Sequence, residues 1–315
     1  MLKAGRQSEK GEIGKRGKLT QDSLFICGRP ESAVDSLTLM LKWGMNCAAL
    51  YGCFLTACLM VPATLLPDEV LAEDNLPSAA SVIQRVLRRA NDAGPAREAS
   101  GYAYEKSALS EDLDDKGKPI KTTRKTYQVT PVQGIPFARL IKINNRELTP
   151  EELKAQDRKE QEFRRNIAEK DPKTAAEDEE DTLNDKLVER YDFKVEKRDW
   201  RDQRPVLVLS FRPKKAKTSE KRIEDKVLNR LAGQVWVDEG EAEVVEVRVG
   251  LTEDLSLGWF GMIGSIKQCD VSIERQRLPE GVWVDKSFEI SLGGRKVFSP
   301  MHHRSLEEFY NFRKL

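Results

Sequence analysis

From Val227 to Phe312 the sequence reads as one strand after another: Gly233-Gln-Val-Trp-Val-Asp238, Ala242 to Val249, Ser265 to Arg277, Val282 to Leu292 and Arg295 to Met301. Tight turns such as Asp238-Glu-Gly-Glu and Pro279-Glu-Gly join them. A meander of this kind must curl or be capped to hide its apolar face. It supplies a hydrophobic interior and almost no catalytic side chains, which points to a binding protein before an enzyme.

The charge balance removes other classes. Lys and Arg number 53 against 52 Asp and Glu, a net charge of +1. A near-neutral chain gives no electrostatic case for nucleic acid, which needs a basic face. Of the 5 cysteines, Cys27, Cys47, Cys53 and Cys58 precede the strand-rich part and only Cys269 lies within it, so that part holds no internal disulfide. Cys269 alternates with Val271 and Ile273 and reads as a small buried apolar residue.

The N-terminal region is expected to be separate: 1–72 as a disordered polar lead plus an export signal or anchor, and 73–315 as one domain. Residues 1–35 are polar and aperiodic. From Trp43 to Leu66 the chain carries no charge, with Lys42 before it and Asp68-Glu69 after it. A basic flank, an apolar run and a small-residue exit fit an export signal cleaved after Ala72. Two further readings stay open. The run approaches the roughly 20 residues of a membrane anchor, and Leu55-Thr56-Ala57-Cys58 resembles a lipidation box.

The rest of the chain alternates strands with two kinds of helix. Ser78 caps an amphipathic helix to about Asp92, with Val82, Ile83, Val86, Leu87 and Ala90 on one stripe and Arg85, Arg88 and Arg89 largely opposite. Strands follow from Tyr102, with a hairpin tip at Asp114 to Gly117 and turns at Gly134 and Asn144-Asn145. Thr149-Pro150-Glu151-Glu152 is a capping box that opens a charged helix to about Lys170. The insert it begins, 149–189, reads as a solvated arm. Strands resume at Tyr191. Val206-Leu-Val-Leu209 is apolar at every position and so is expected to be buried on both faces. A short helix is expected within Glu220 to Leu231.

Recognised chemistry is sparse. The 2 histidines, His302 and His303, are adjacent and point to opposite sides of a strand, so they do not chelate one metal together. No Cys/His spacing suits zinc. The glycine-rich run Gly258 to Gly264 is apolar and lacks the lysine of a phosphate loop. No cofactor, no metal site and no catalytic residue is expected.

The run Asn229 to Asp238, the strand containing Glu246-Val-Arg248, the apolar glycine corner, Gly281-Val-Trp-Val284 and the closing Phe309-Tyr-Asn-Phe-Arg313 together resemble bacterial outer-membrane lipoprotein-sorting proteins, the LolA/LolB-like periplasmic carriers. The resemblance covers about residues 76–315 and rests on strand patterns. It implies a mainly β (α+β) fold: an incomplete antiparallel β-barrel wrapped by helices, with the charged helical insert added. It also implies a periplasmic, non-enzymatic protein whose partners are acyl chains of lipids or lipoproteins, with a membrane-protein donor or acceptor. Alternation then names the side chains of the hollow: Val245, Val247 and Val249; Val271 and Ile273; Phe288, Ile290 and Leu292; and the corner Trp259, Phe260, Met262 and Ile263. The rival readings are an envelope sensor or scaffold that meets a membrane partner through the insert, and a hydrolase acting through unrecognised carboxylates.

Overall fold

The structure is a computed structural model that describes residues 76–92, 101–169, 188–214, 223–257, 264–296 and 299–315. Twelve strands make one antiparallel sheet: β1 (Tyr102–Leu113), β2 (Pro119–Val132), β3 (Ile135–Ile143), β4 (Arg146–Glu147), β5 (Tyr191–Arg201), β6 (Arg204–Pro213), β7 (Leu231–Asp238), β8 (Val244–Leu251), β9 (Leu255–Leu257), β10 (Gly264–Arg277), β11 (Trp283–Lys296) and β12 (Ser299–Lys314). Their order is β4-β3-β2-β1-β12-β11-β10-β8-β7-β6-β5, with β9 on the end of β10. The last strand therefore lies between the first strand and β11, joining the two halves of the chain. β4 and β5 end the sheet and do not pair with each other, so it stays open. The open, mainly antiparallel architecture expected from the sequence is the one observed.

Local chemistry sets the hairpins. Gln133 and Gly134, Asn144 and Asn145, and Asp202 and Gln203 all have positive φ. Each pair makes the two-residue turn whose twist matches the flanking strands. At the β1–β2 tip, the Asp114 carboxylate accepts the amides of Lys116 and Lys118 at 2.9 and 2.8 Å. Gly233 on β7 is required by close approach, because a Cβ there would lie 1.9 Å from the Arg248 carbonyl oxygen. One strand extends beyond expectation. The run Arg295 to Met301 is the end of β11 and the start of β12, and β12 continues to Lys314 because its whole length finds partners on β1 and β11.

Among the described residues three helices, α1 (Ala79–Asp92), α2 (Pro150–Glu169) and α3 (Ile223–Leu228), pack on the sheet. Ser78 caps α1 by accepting the Ser81 amide at 3.2 Å. Val82, Val86 and Ala90, one helical turn apart, are buried. The face of the sheet that they cover is called the inner face below. β6 shows why an unbroken apolar run was needed. Leu207 and Leu209 lie under α1, Val206 and Val208 join an outer cluster, and all four are at most 1 % exposed. Each such burial contributes roughly 1.5–3 kcal/mol.

The insert corrects the expected solvated arm. Its capping box forms as predicted: the Thr149 amide donates to Glu152 Oε2 at 2.7 Å, and the Glu152 amide to Thr149 Oγ1 at 3.3 Å. The helix that follows is docked. Phe163 is 2 % exposed, stacks 5.1 Å from Phe137 and closes a small core with Val132. Arg139 on β3 holds Asp157 and Glu160 of α2 at 2.5 and 2.9 Å. One buried aromatic and one two-pronged arginine suffice to seat a helix whose other side is charged. By strand register, Phe137 lies on the face opposite to α1.

Candidate functional site

The inner face is built row by row from cross-strand neighbours. Val249, Val271 and Ile290 face one another across β8, β10 and β11, and Val247, Ile273 and Phe288 form the next row. Cys269 and Leu292 form a third. With Val227 of α3 and Leu231 they make one apolar cluster, in which Ile290 is 0 % exposed. Val247 also touches the neighbouring cluster, where Val82 and Val86 of α1 sit on Leu207, Leu209, Val235 and Val237. Seven of the side chains that alternation named are thus together on one surface, and that surface is occupied by the protein's own helices.

Val245 is a correction. Trp236 pairs with Glu246 and Val237 with Val244, so Val245 is an extra residue bulged out of the ladder. The bulge shifts the alternation and sends Val245 to the opposite face, into a cluster with Val206, Val208, Trp236 and Trp283. The corner residues Trp259, Phe260, Met262 and Ile263 lie outside the described residues, as do Cys27 and the apolar run 43–66 that holds Cys47, Cys53 and Cys58. Among the described residues no helix is long and apolar enough to cross a membrane.

Charged groups outside the apolar stripe hold α1 in place. Arg85 donates to the Glu239 carbonyl at 2.6 Å, and Arg89 donates to Glu243 at 2.9 Å. Glu243 is 5 % exposed and also accepts from Arg275, whose guanidinium reaches the Trp283 carbonyl at 3.3 Å. The β7–β8 turn that carries these carboxylates is itself fixed by Asp238. Its carboxylate takes the Arg204 guanidinium at 2.6 and 3.0 Å and the Glu241 amide at 2.7 Å. Burial alone would raise the Asp238 carboxyl, but Arg204 and the turn amides outweigh it and hold the group below the usual carboxylate range. No sequence motif marks this network, because its members are brought together by register.

Further along the inner face the lining turns mixed. β12, β1 and β2 present Phe309, Tyr104, Lys106 and Tyr127, with Tyr104 stacked 5.1 Å from Phe312. Lys106 is 8 % exposed, lies 3.6 Å from a Glu307 oxygen and sits 5.1 Å from the Tyr127 ring centre.

The opposite face carries an apolar cluster with charged groups around it. The guanidinium groups of Arg201 and Arg248 lie 5.4 and 5.2 Å from the centre of the Trp236 ring, and both arginines reach the buried Glu246. An open cleft of about 520 Å³ lies on this side, lined by Gln234, Arg248, Asp270, Ser272, Glu289 and Ser291, with Val249 and Val271 at its border. Two residues of the expected hollow, Val249 and Val271, are thus among its lining.

Among the described residues no group of three or more His, Cys, Asp and Glu is arranged to hold a metal ion. His303 sits 2.9 Å from Asp112, while its neighbour His302 approaches Asp115 at 3.6 Å. Cys269 is 1 % exposed, and burial, with Asp270 beside it, pushes its thiol up to about 12.

No protein-family model matches the chain, and no curated relative matches it. Solved structures with a related course of the chain include a DUF1329 family protein from Desulfovibrio piger, at 9% identity over 76% of this chain and 94% of that one, with a TM-score of 0.29. A putative outer membrane lipoprotein-sorting protein domain from Vibrio parahaemolyticus follows at 10% identity over 75% and 93%, TM-score 0.29. A LolA superfamily protein from Nitrosomonas europaea matches at 7% identity over 76% and 94%, TM-score 0.26. The chain is thus similar to DUF1329, lipoprotein-sorting and LolA superfamily proteins at great divergence, a likeness too remote to carry a function across.

Proposed function

We propose that this protein binds acyl chains of lipids or lipoproteins on its inner face, without chemistry, and acts as a carrier on the exported, periplasmic side of a cell envelope. One observation carries the reading. A continuous apolar surface across β6 to β11 is closed by separate helices, α1 and α3, and, among the described residues, by no second sheet. A helix is a cover that a ligand can replace.

The energies make the exchange feasible. Lifting α1 exposes Val82 and Val86, at a cost of roughly 1.5–3 kcal/mol each. A buried methylene returns about 0.8 kcal/mol, so about four to eight methylenes offset the loss. A long acyl chain has more than that, and binding then shifts the population toward the open form. Release follows when α1 returns or when an acceptor protein competes for the chain.

The test is native mass spectrometry of the protein purified from the periplasm of its expression host, followed by titration with a fluorescent fatty acid. Adducts with acyl-chain masses and saturable uptake are expected. A protein that carries no adduct and takes up no probe at micromolar concentration contradicts the reading.

A further inference from the structure

We infer that Lys106 is the anchor for an anionic headgroup, a carboxylate or a phosphate, on the ligand's proximal end; this rests on the acyl-binding reading above and adds a charge requirement to it. The residue's position carries the inference. Lys106 sits on β1 directly opposite Phe309 of β12 and Tyr127 of β2. Its partner Glu307 is directly opposite Phe288, a member of the apolar cluster. The cation therefore lies on the same face as the apolar rows, at their edge. From β1 to β8 the face spans four strand spacings, about 19 Å along the sheet.

A lysine and a glutamate with side chains only 10 % and 15 % exposed are a costly way to fill this place. An apolar pair of similar volume commonly serves stability as well or better, because desolvation of two ions consumes what their attraction returns. The Lys106 nitrogen and the Glu307 oxygen lie 3.6 Å apart. A ligand anion that approaches at hydrogen-bond distance can displace Glu307 while Lys106 keeps its place over the Tyr127 ring. A neutral head gains nothing from the exchange. The site should thus select anionic over neutral lipids of the same chain length.

The experiment measures dissociation constants for three probes of equal chain length, hexadecanoic acid, a hexadecyl phosphate and hexadecanol, on the protein as its host exports it. The wild type is expected to prefer the anionic probes to the alcohol by about tenfold or more, the size of one charged hydrogen bond. Stronger binding of the phosphate or of the acid assigns the source of the anion. Lys106→Met should bring the preference near one, and Lys106→Arg should keep it. Glu307→Gln, which removes the competing carboxylate, should raise it. Equal wild-type affinity for the alcohol and both anionic probes overturns the inference and leaves acyl binding standing. So does a preference that survives in Lys106→Met. Failure of all three probes to bind overturns both.

Discussion

The Arg89–Glu243 contact is the place to ask whether α1 moves independently of the sheet. Arg89→Met keeps most of the side-chain stem and removes the charge that donates to Glu243 at 2.9 Å. A hydrogen bond to a charged group is worth about 1.5–3 kcal/mol. Two features place this one at or below the lower end. The Arg89 side chain is 29% exposed, so water replaces part of what is lost, and Glu243 keeps Arg275. The closed form should lose about 1–1.4 kcal/mol, a fivefold to tenfold rise in the open population. Hydrogen exchange read by mass spectrometry resolves where that rise falls. Amides of α1 from Val82 to Ala90 should exchange five to ten times faster, and those of β11 around Ile290 should be unchanged. Equal acceleration in both segments would show that helix and sheet open only as a unit, which refutes the idea of a cover that a ligand can lift.

Other expectations concern single residues. Val247→Ala should weaken fatty-acid uptake, whereas Val245→Ala, on the far side of the bulge, should lower stability by about 1–3 kcal/mol without weakening uptake; denaturant titration with the same uptake assay checks both, and equal effects on uptake contradict the assignment of faces. Arg146 forks onto Glu152, and with the Thr149 amide it lowers the Glu152 carboxyl to about 2. A depressed carboxyl gives support that is complete above the unfolded value of about 4.5 and is lost as pH falls through the folded one. The capped start of α2 should therefore persist at pH 4 and fail on approach to 2, and a carbon-detected titration of Glu152 with a midpoint near 4.5 would contradict this. Cys269, buried and pushed up to about 12, should resist iodoacetamide at pH 8 in the folded protein and react on unfolding; rapid labelling of native protein would show that β10 is open there.

What the sequence made legible follows from how local each signal is. Ser78 and the Val82, Val86, Ala90 stripe are read within one helix, and the structure bears them out. The same holds for the Thr149–Glu152 box, for the Asn144-Asn145 turn and for the four-residue apolar run in β6. The misses are non-local. Val245 was misplaced because a bulge is defined by the partner strand, and nothing in the alternation around it announces one extra residue. Arg85 and Arg89 were read only as lying largely opposite the apolar stripe, yet the β7–β8 turn comes up to meet them from more than 150 positions away in sequence. Phe163 appeared as one apolar residue in a charged helix, and only its position over Phe137 shows that the helix is seated. Lys106 carries no signal at all by itself. Its meaning comes from Glu307 and Tyr127 on the two neighbouring strands.

The central claim is that an acyl chain takes the place of α1 on the inner face. Isotope-edited NMR of methyl-labelled protein with an unlabelled saturated fatty acid tests it most directly. Contacts from the chain to the methyl groups of Leu207, Leu209 and Val247, with simultaneous loss of the contacts from Val82 and Val86 to Leu207 and Leu209, are the expected result. A bound chain that leaves those helix contacts intact, or that meets only the methyl groups of Val206, Val208 and Val245 on the other face, would contradict it.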